Sequence, residues 1–341
     1  MCTDLRLVRL PGMHVSARTL DFALELRSQV RVVPRGNSWT AMATHTAVDP
    51  LAWTNSLGFV AIDGFGFADL FADGLNEAGL SVGTLWLPET SLPAEPPATG
   101  TAPAAGFVDL AGWLLGTCST VAEVKAALAT VQVWGPKVRD MWPAGTPMPP
   151  GVEAMADFAF TEHLAVHDAH GGDLVVEFTA EGMQLHDNPI GVLTNSPTFD
   201  WHLTNLRNYV GLTNVNDKPV NLMGMPVTPT GNGSGLLGMP GDVTPPSRFV
   251  RATVLSEVVV SATDARDAVN QAFHALELVS VPRFVASSGD YTQWRVVRDH
   301  DSGVFYVRSY DGWTTDVHDL AALGVTGTGP VTTLPLPSAS S

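Results

Sequence analysis

The sequence predicts an α+β fold in which sheets pack against segregated helices. Two observations support this. Short segments rich in β-branched and aromatic residues lie between Gly, Pro, Asn and Asp turns, and they alternate with blocks of helical periodicity. The order along the chain is β, α, β, α, β, which suits layers of sheet and helix around a common core. With 341 residues, the chain is long enough for one large domain or two ordinary ones.

The first hundred residues predict strands, at 30–33, 57–62 and 79–87. Proline-rich residues 93–106 predict an exposed connection, because proline lacks the backbone donor that a strand ladder needs. A three-turn helix is expected over 121–129, since Thr120-Val-Ala-Glu123 has the form of a capping box.

The rest of the chain predicts a hairpin, three helices and two final strands. The hairpin spans 156–178, the helices 199–209, 248–260 and 263–278, and the strands 292–298 and 304–308. We therefore expect one domain over residues 1–325 and a disordered tail over 326–341. Residues 214–246, rich in Gly, Pro, Asn and Met, form a loop long enough to be functional or an assembly element.

Charge and hydropathy exclude several kinds of partner. Lys and Arg number 18 against 34 Asp and Glu, so the net charge is −16, which disfavours nucleic acid and anionic membrane surfaces. The apolar stretch 110–116 is far shorter than a membrane span. Residues 3–10 alternate polar and apolar side chains like a strand and unlike an export signal. A cytoplasmic location is expected, or a periplasmic or secreted one if a signal peptide precedes this start.

The second residue is a cysteine, and its position predicts chemistry. If Met1 is removed, the thiol and the free α-amino group of Cys2 belong to one residue, and the amine can act as the base for the thiol. Amino termini have reference pKa values near 7.7–8.0, whereas thiols near 8.5 need a neighbouring cation to ionise at neutral pH. The other cysteine, Cys118, precedes a capped helix and is expected to be a buried small hydrophobe.

A series of motifs in fixed order carries a family resemblance. They are residues 1–3 (MCT), 16–22 (SARTLDF), 34–36 (PRG), 73–80 (DGLNEAGL), 191–200 (GVLTNSPTFD), 205–209 (NLRNY), 238–242 (GMPGD) and 247–251 (SRFVR). Together they resemble the choloylglycine hydrolase family, which contains conjugated bile salt hydrolases and penicillin V acylases. The resemblance implies a four-layer αββα sandwich of the N-terminal nucleophile hydrolase type, without a cofactor.

The resemblance also implies a role for each of five residues. Cys2 matches the nucleophile that forms a thioester with the acyl group of a linear amide. Arg18 matches the arginine beside the thiol, and Asp21 the carboxylate that holds the α-amino group. Asn195 matches an oxyanion-hole side chain, and Arg248 a second active-site arginine.

Substrate preference is implied by two aromatic positions. At the position that matches Trp86, bile salt hydrolases resemble one another in having asparagine. Penicillin V acylases have an aromatic residue at that position. Trp86 contacts substrate or is a core aromatic at a strand end. Residues 195–200 and 293–300 are most similar to the Gram-negative acylase branch of the family. That branch has a second tryptophan at the position that Phe22 occupies here. Penicillin V or N-acyl homoserine lactones are therefore the expected substrates, with glycine- and taurine-conjugated bile salts as the alternative.

Three further alternatives concern ligands and assembly. An inactive relative would bind acylated metabolites without cleaving them. His163, His167 and His170 have a spacing found in metal sites, but the hairpin pattern separates residues four apart too far for one ion, so no metal is expected. Loop 214–246 is similar to a segment that packs between subunits in bile salt hydrolases, and a homo-oligomer, dimer or tetramer, is expected.

Overall fold

The structure is a computed structural model that describes residues 1–42, 49–67, 69–95, 102–142, 147–148 and 150–336. Two large antiparallel sheets contain most of the strands. In chain order the strands are β1 (Cys2–Arg6), β2 (Val15–Phe22), β3 (Val30–Val33), β4 (Ser38–Thr40), β5 (Ala52–Thr54), β6 (Phe59–Asp63), β7 (Phe71–Asn76), β8 (Ser81–Trp86), β9 (Ala104–Gly106), β10 (Gln132–Trp134), β11 (Glu162–His167), β12 (Asp173–Thr179), β13 (Gly182–Asp187), β14 (Val192–Leu193), β15 (Val220–Leu222), β16 (Met225–Val227), β17 (Tyr291–Asp299), β18 (Val304–Ser309), β19 (Asp316–Asp319) and β20 (Thr332–Leu334).

The helices cover the outer faces of the two sheets. They are α1 (Leu110–Thr117), α2 (Val121–Leu128), α3 (Pro150–Glu153), α4 (Phe199–Asn205), α5 (Pro245–Val258) and α6 (Ala265–Glu277). Local sequence explains their starts: Thr120 caps α2 by accepting from the backbone N–H of Glu123, and Asp264 caps α6 in the same way from Asp267. Short 3₁₀ turns occupy residues 107–109, 138–141, 206–208 and 234–236.

Sheet order places the amino terminus at the centre of the molecule. The six-stranded sheet has the order β14-β1-β2-β17-β18-β19, and the eight-stranded sheet has the order β13-β12-β11-β8-β7-β6-β3-β20. Their inner faces share one apolar core, which includes Val296 from the first sheet and Val60 and Val175 from the second. Because β1 is flanked by β14 and β2, its residues are enclosed on both sides as well as from the facing sheet.

Two helix pairs complete the layers. Helices α5 and α6 pack on β1, β2 and β17, and α1 packs on β7 and β8 across the other sheet. The second apolar core lies under α1 and α2. The layer order is therefore helix, sheet, sheet, helix, and the expected α+β fold of αββα type is confirmed. Among the described residues, no helix has the length and apolar character to cross a bilayer.

The structure differs from the sequence-based expectations at three places. Residues 104–106, expected to be exposed connection, form the buried strand β9, which pairs in parallel with β10; residues 96–101 of that connection lie outside the described ranges. Within the expected tail 326–341, β20 pairs with β3, because the edge of that sheet offers free backbone groups; residues 337–341 lie outside the described ranges. Loop 214–246 contains the hairpin β15–β16.

Candidate active site

Cys2 is the first residue of β1, and its side chain is buried. It lies opposite Leu20 of β2 and is 5% exposed. Its backbone nitrogen donates to Asn195 Oδ1 at 2.7 Å. The thiol thus lies at the start of β1, the second strand of the six-stranded sheet, within reach of the facing sheet.

Arg18 brings a fixed positive charge to the thiol. It lies on β2 with no exposed side-chain surface, and its Nη2 is 3.7 Å from Cys2 Sγ. The guanidinium also donates to the carbonyl oxygens of Ala72 and Thr84 and, at 2.9 Å, to Asp73 Oδ2. Burial opposes the charge, but Cys2 and Asp73 raise the pKa of Arg18 above its ordinary value. These contacts hold the cation in one position.

Asp21 is held at the other side of the amino terminus. Its Oδ1 accepts from the hydroxyl of Thr292 at 2.5 Å, and its Oδ2 is 3.7 Å from Arg248 Nη1. The backbone N–H of Asp21 donates to the carbonyl of Met1 at 2.7 Å. Within the described residues, Oδ2 is buried without a hydrogen-bond partner. A buried carboxylate oxygen in this state is suited to a nearby ammonium group.

Asn195 and Arg248 close the site from the helix side. Asn195 follows β14, and its Nδ2 donates to the carbonyl of Trp86 at 2.7 Å. Arg248, in α5, donates from Nη2 to Asn195 Oδ1 at 2.9 Å and from Nη1 to the carbonyl of Cys2 and the hydroxyl of Thr3. Burial lowers the pKa of Arg248, and Asp21 opposes that change. The structure therefore brings together the five residues that the sequence selects.

A cavity of about 60 Å³ opens beside the thiol. Phe22 and Trp86 both line it, together with Cys2, Arg18 and Asp21. Trp86 is 36% exposed, so it is not a core aromatic, and its indole N–H donates to Thr161 Oγ1 at 3.0 Å. Most of the remaining lining is apolar, including further phenylalanine side chains of the loops around the cavity. Such a cavity suits a hydrophobic group next to the reactive thiol.

A chain of buried charges, which the sequence analysis missed, supports Arg18 from behind. Asp73 accepts from Arg298 Nε at 2.8 Å as well as from Arg18, and Arg298 Nη2 is 3.0 Å from Asp4 Oδ2. His167 Nε2 then lies 2.7 Å from Asp4 Oδ1. The sequence does contain a signal for this chain: charged residues at inward-facing positions of otherwise apolar strands. Such residues are rarely buried unless they are paired, so they predict buried ion pairs.

The histidines expected to lie on a hairpin do so, and the neighbours of two of them are carboxylates. His163 Nδ1 is 3.1 Å from Glu177 Oε1, and His167 Nδ1 is 2.6 Å from Asp173 Oδ1. His170 lies in the turn after β11. In the described ranges, no group of three or more His, Cys, Asp or Glu side chains is arranged to hold a metal ion.

Curated relatives resemble the chain over most of its length. The bile salt hydrolase/transferase of Clostridium perfringens (strain 13 / Type A) is 30% identical over 318 residues, which cover 91% of this chain and 90% of the relative. The penicillin V acylase of Pectobacterium atrosepticum is 29% identical over 199 residues, which cover 57% of this chain and 48% of the relative.

Solved structures and a family model agree with these relatives. A mutant of the conjugated bile acid hydrolase from Clostridium perfringens superposes with a TM-score of 0.79 at 28% identity, covering 98% of this chain and 96% of that one. The penicillin V acylase from Agrobacterium tumefaciens shares the fold, with a TM-score of 0.76 at 24% identity over 98% of this chain and 91% of that one. The model for linear amide C–N hydrolases of the choloylglycine hydrolase family matches residues 2–333. The chain therefore belongs to the choloylglycine hydrolase family and is a hydrolase of linear amides.

Proposed function

We propose that the chain cleaves linear amides through a thioester on Cys2 after Met1 has been removed. The observation that carries the proposal is the position of the thiol at the amino terminus, 3.7 Å from a buried arginine. Few arrangements other than nucleophilic catalysis use a cation and a thiol beside a free α-amino group.

Loss of Met1 would convert the backbone nitrogen of Cys2 into the required base. This nitrogen is 2.7 Å from Asn195 Oδ1, which would remain to accept a hydrogen bond from the amine. Asp21 Oδ2, which accepts no hydrogen bond in the described residues and lies 3.7 Å from Arg248 Nη1, supplies the nearby negative charge that an ammonium group needs when it holds a proton during the reaction. Asp21 is thus assigned to hold and orient the amine.

The reaction then has two halves. The amine takes the thiol proton as Sγ attacks the amide carbonyl, and it gives that proton to the departing nitrogen as the C–N bond breaks. Water next attacks the Cys2 thioester with the amine again taking a proton, and the C–S bond breaks to release the acid and restore the thiol. We assign Arg18 to stabilise negative charge on sulfur, and Arg248 to hold the Cys2 carbonyl and Asn195 in position.

The tetrahedral intermediate needs donors for its oxygen. One N–H of the Asn195 side-chain amide points to the Trp86 carbonyl. We assign the other to the oxyanion, together with the backbone N–H of Trp86. Loss of one such donor typically lowers kcat by about 10²- to 10³-fold.

For the acyl group, we infer a hydrophobic substituent, because the cavity beside the thiol has a mostly apolar lining. Conjugated bile salts are the favoured substrates, because the relative named a bile salt hydrolase/transferase aligns with nine-tenths of this chain, whereas the named penicillin V acylase aligns with 57% of it. This reverses the order that the sequence motifs predict. Penicillin V and N-acyl homoserine lactones remain a second candidate class, supported by Trp86 and Phe22 at the cavity.

Mass spectrometry and kinetics test the mechanism together. Intact mass should show loss of Met1 and one thiol adduct on Cys2, and Cys2→Ala should abolish turnover of glycocholate, penicillin V and acyl homoserine lactones. Cys118→Ser removes the other thiol and is the matched control, which should stay active. Active protein that retains Met1 would refute the mechanism. If the wild type binds these substrates but turns none of them over, the alternative applies, and the protein is an inactive relative that binds acylated metabolites.

We also propose that hairpin β15–β16 forms a contact between copies of the chain. Val220, Leu222, Met223 and Met225 are all exposed on it, and contiguous exposed apolar side chains mark interaction sites. Light scattering of the purified protein should give a dimer or tetramer, and a monomer at micromolar concentration would contradict this proposal.

A further inference from the structure

Glu162 is a carboxyl group that the mechanism above does not use, although it lines the cavity at Cys2. The polar residues on the cavity wall are Cys2, Arg18, Asp21, Thr84 and Glu162. The rest of the lining is glycine and apolar side chains, among them Phe71, Phe107, Phe158 and Phe160. A carboxyl group in such surroundings is costly unless it has a partner, so its presence calls for a physical reason.

The other charged groups of the wall are already engaged. Arg18 is held by Asp73 and by two carbonyl oxygens, and Asp21 by Thr292 and Arg248. Glu162 has no salt bridge to any of the described residues. Its side-chain partner is Thr84, a neutral hydroxyl. Glu162 therefore keeps unused hydrogen-bonding capacity at the cavity, since a carboxylate has about four lone-pair sites.

The strand register fixes where this capacity is offered. Glu162 begins β11 and lies directly opposite Trp86 of β8, so the two side chains project from the same face of the sheet. The indole of Trp86 is in turn held by Thr161, the residue before Glu162. The carboxyl group and the indole thus form adjacent parts of one wall, and a substrate that lies along Trp86 meets Glu162.

The surroundings also determine which ligands suit the carboxyl group. Burial raises the pKa of Glu162, against the opposing effects of Thr84 and of Arg18. A wholly apolar acyl group would strip the remaining water from it and leave lone pairs unpaired, which is unfavourable. A hydroxyl group on the acyl part would instead replace that water with a hydrogen bond, whether the carboxyl is ionised or protonated.

We propose that Glu162 selects acyl groups that carry a hydroxyl group positioned to hydrogen-bond with it inside the cavity. The inference rests on the proposed function only in taking this cavity as the acyl site. Two classes share the required chemistry, hydroxylated steroid acids and hydroxylated fatty acids. Glu162 is then a specificity-determining residue.

Binding of free acids tests this without requiring turnover. Calorimetry would compare cholate with cholanate, the same steroid acid without hydroxyl groups, and 3-hydroxydodecanoate with dodecanoate. In the wild type, at least one hydroxylated acid should bind about 10-fold or more tightly than its partner, because one polar partner in a buried site is worth about that ratio. The pair that shows the preference identifies the class.

Variants then assign the preference to the carboxyl group. Glu162→Leu should bind both members of the pair equally, and Glu162→Gln should keep part of the preference because its amide also hydrogen-bonds. Glu181→Leu, in the exposed turn after β12, is the matched control and should keep all of it. Should Glu162→Leu fail to fold, the wild-type and Glu162→Gln data still decide the matter.

The possible failures can be told apart. Equal binding of both members in both wild-type pairs overturns the inference while leaving the proposed hydrolysis intact. A preference that survives in Glu162→Leu also overturns it, because another group would then read the hydroxyl. If none of the four acids binds, the cavity is not an acyl site, and the inference falls together with the substrate class proposed above.

Discussion

His167 should make the stability of the protein fall as the pH rises above neutrality. Its imidazole is 1% exposed, with Nε2 at 2.7 Å from Asp4 and Nδ1 at 2.6 Å from Asp173. Burial disfavours the charged imidazole, but the two carboxylates outweigh this effect and raise the pKa of His167 to about 9. Replacing it with glutamine keeps hydrogen bonding and removes the charge.

The direction and size of the effect follow from linkage. Below a pH of about 6.5 the imidazole is charged in both the folded and the unfolded chain, and its contribution is complete. Between 6.5 and about 9 only the folded form keeps the proton, so the contribution falls as the pH rises and is lost above 9. The rise in the pKa of His167 from 6.5 to about 9 corresponds to about 3 kcal/mol of stability, most of which is lost between pH 6 and pH 9.

Urea unfolding at pH 6, 7.5 and 9 measures this contribution. We expect the difference in unfolding free energy between wild type and His167→Gln to shrink by about 3 kcal/mol across that range. Asp4 keeps Arg298 and Asp173 keeps Arg6 as partners in the variant, so neither carboxylate becomes isolated. His274→Gln, on an exposed helix face, is the matched control and should follow the wild type. A wild-type pH dependence retained in His167→Gln would refute the reasoning.

Two further predictions concern stability. Burial raises the pKa of Asp109 from 3.8 to about 7, so the contribution of its neutral carboxyl group to stability is lost as the pH rises from about 4 to 7. Asp109→Asn cannot ionise, and urea unfolding should show that its stability gains about 3 kcal/mol relative to the wild type between pH 5 and pH 8. An unchanged difference between these pH values would contradict this. Gly58→Ala should lower the melting temperature by several degrees, because its added carbon would lie 2.0 Å from the carbonyl oxygen of Val325. Gly241→Ala, with open space around it, should not, and equal effects of the two would count against the packing argument.

Much of the fold follows from local patterns in the sequence. Period-2 runs predict β11, β12, β17 and β18, and capping residues predict the starts of α2 and α6. These elements depend on residues a few positions apart, so they can be recognised directly in the sequence. The strand β20 was not expected, since its short polar segment pairs only because β3 leaves an open edge.

The active site also has a part that the sequence predicts and a part that it does not. Its five candidate residues stand in motifs that are recognisable along the chain, but the motifs do not contain the distances between them. Arg18 meets Cys2 because their strands pair, and it meets Asp73 because two sheets stack face to face. The role of Glu162 in the cavity wall likewise depends on its register with Trp86.

The sequence alone therefore determined the element types, the family and a thiol at the second residue, because each is a property of neighbouring residues or of motif order. Only the tertiary structure decided which buried charges meet. Asp4, Asp73, His167 and Arg298 come from four strands separated by up to 294 residues, and none has an apolar period or turn signature that marks it. Pairing between distant charges is set by strand register and sheet stacking, which no local pattern encodes.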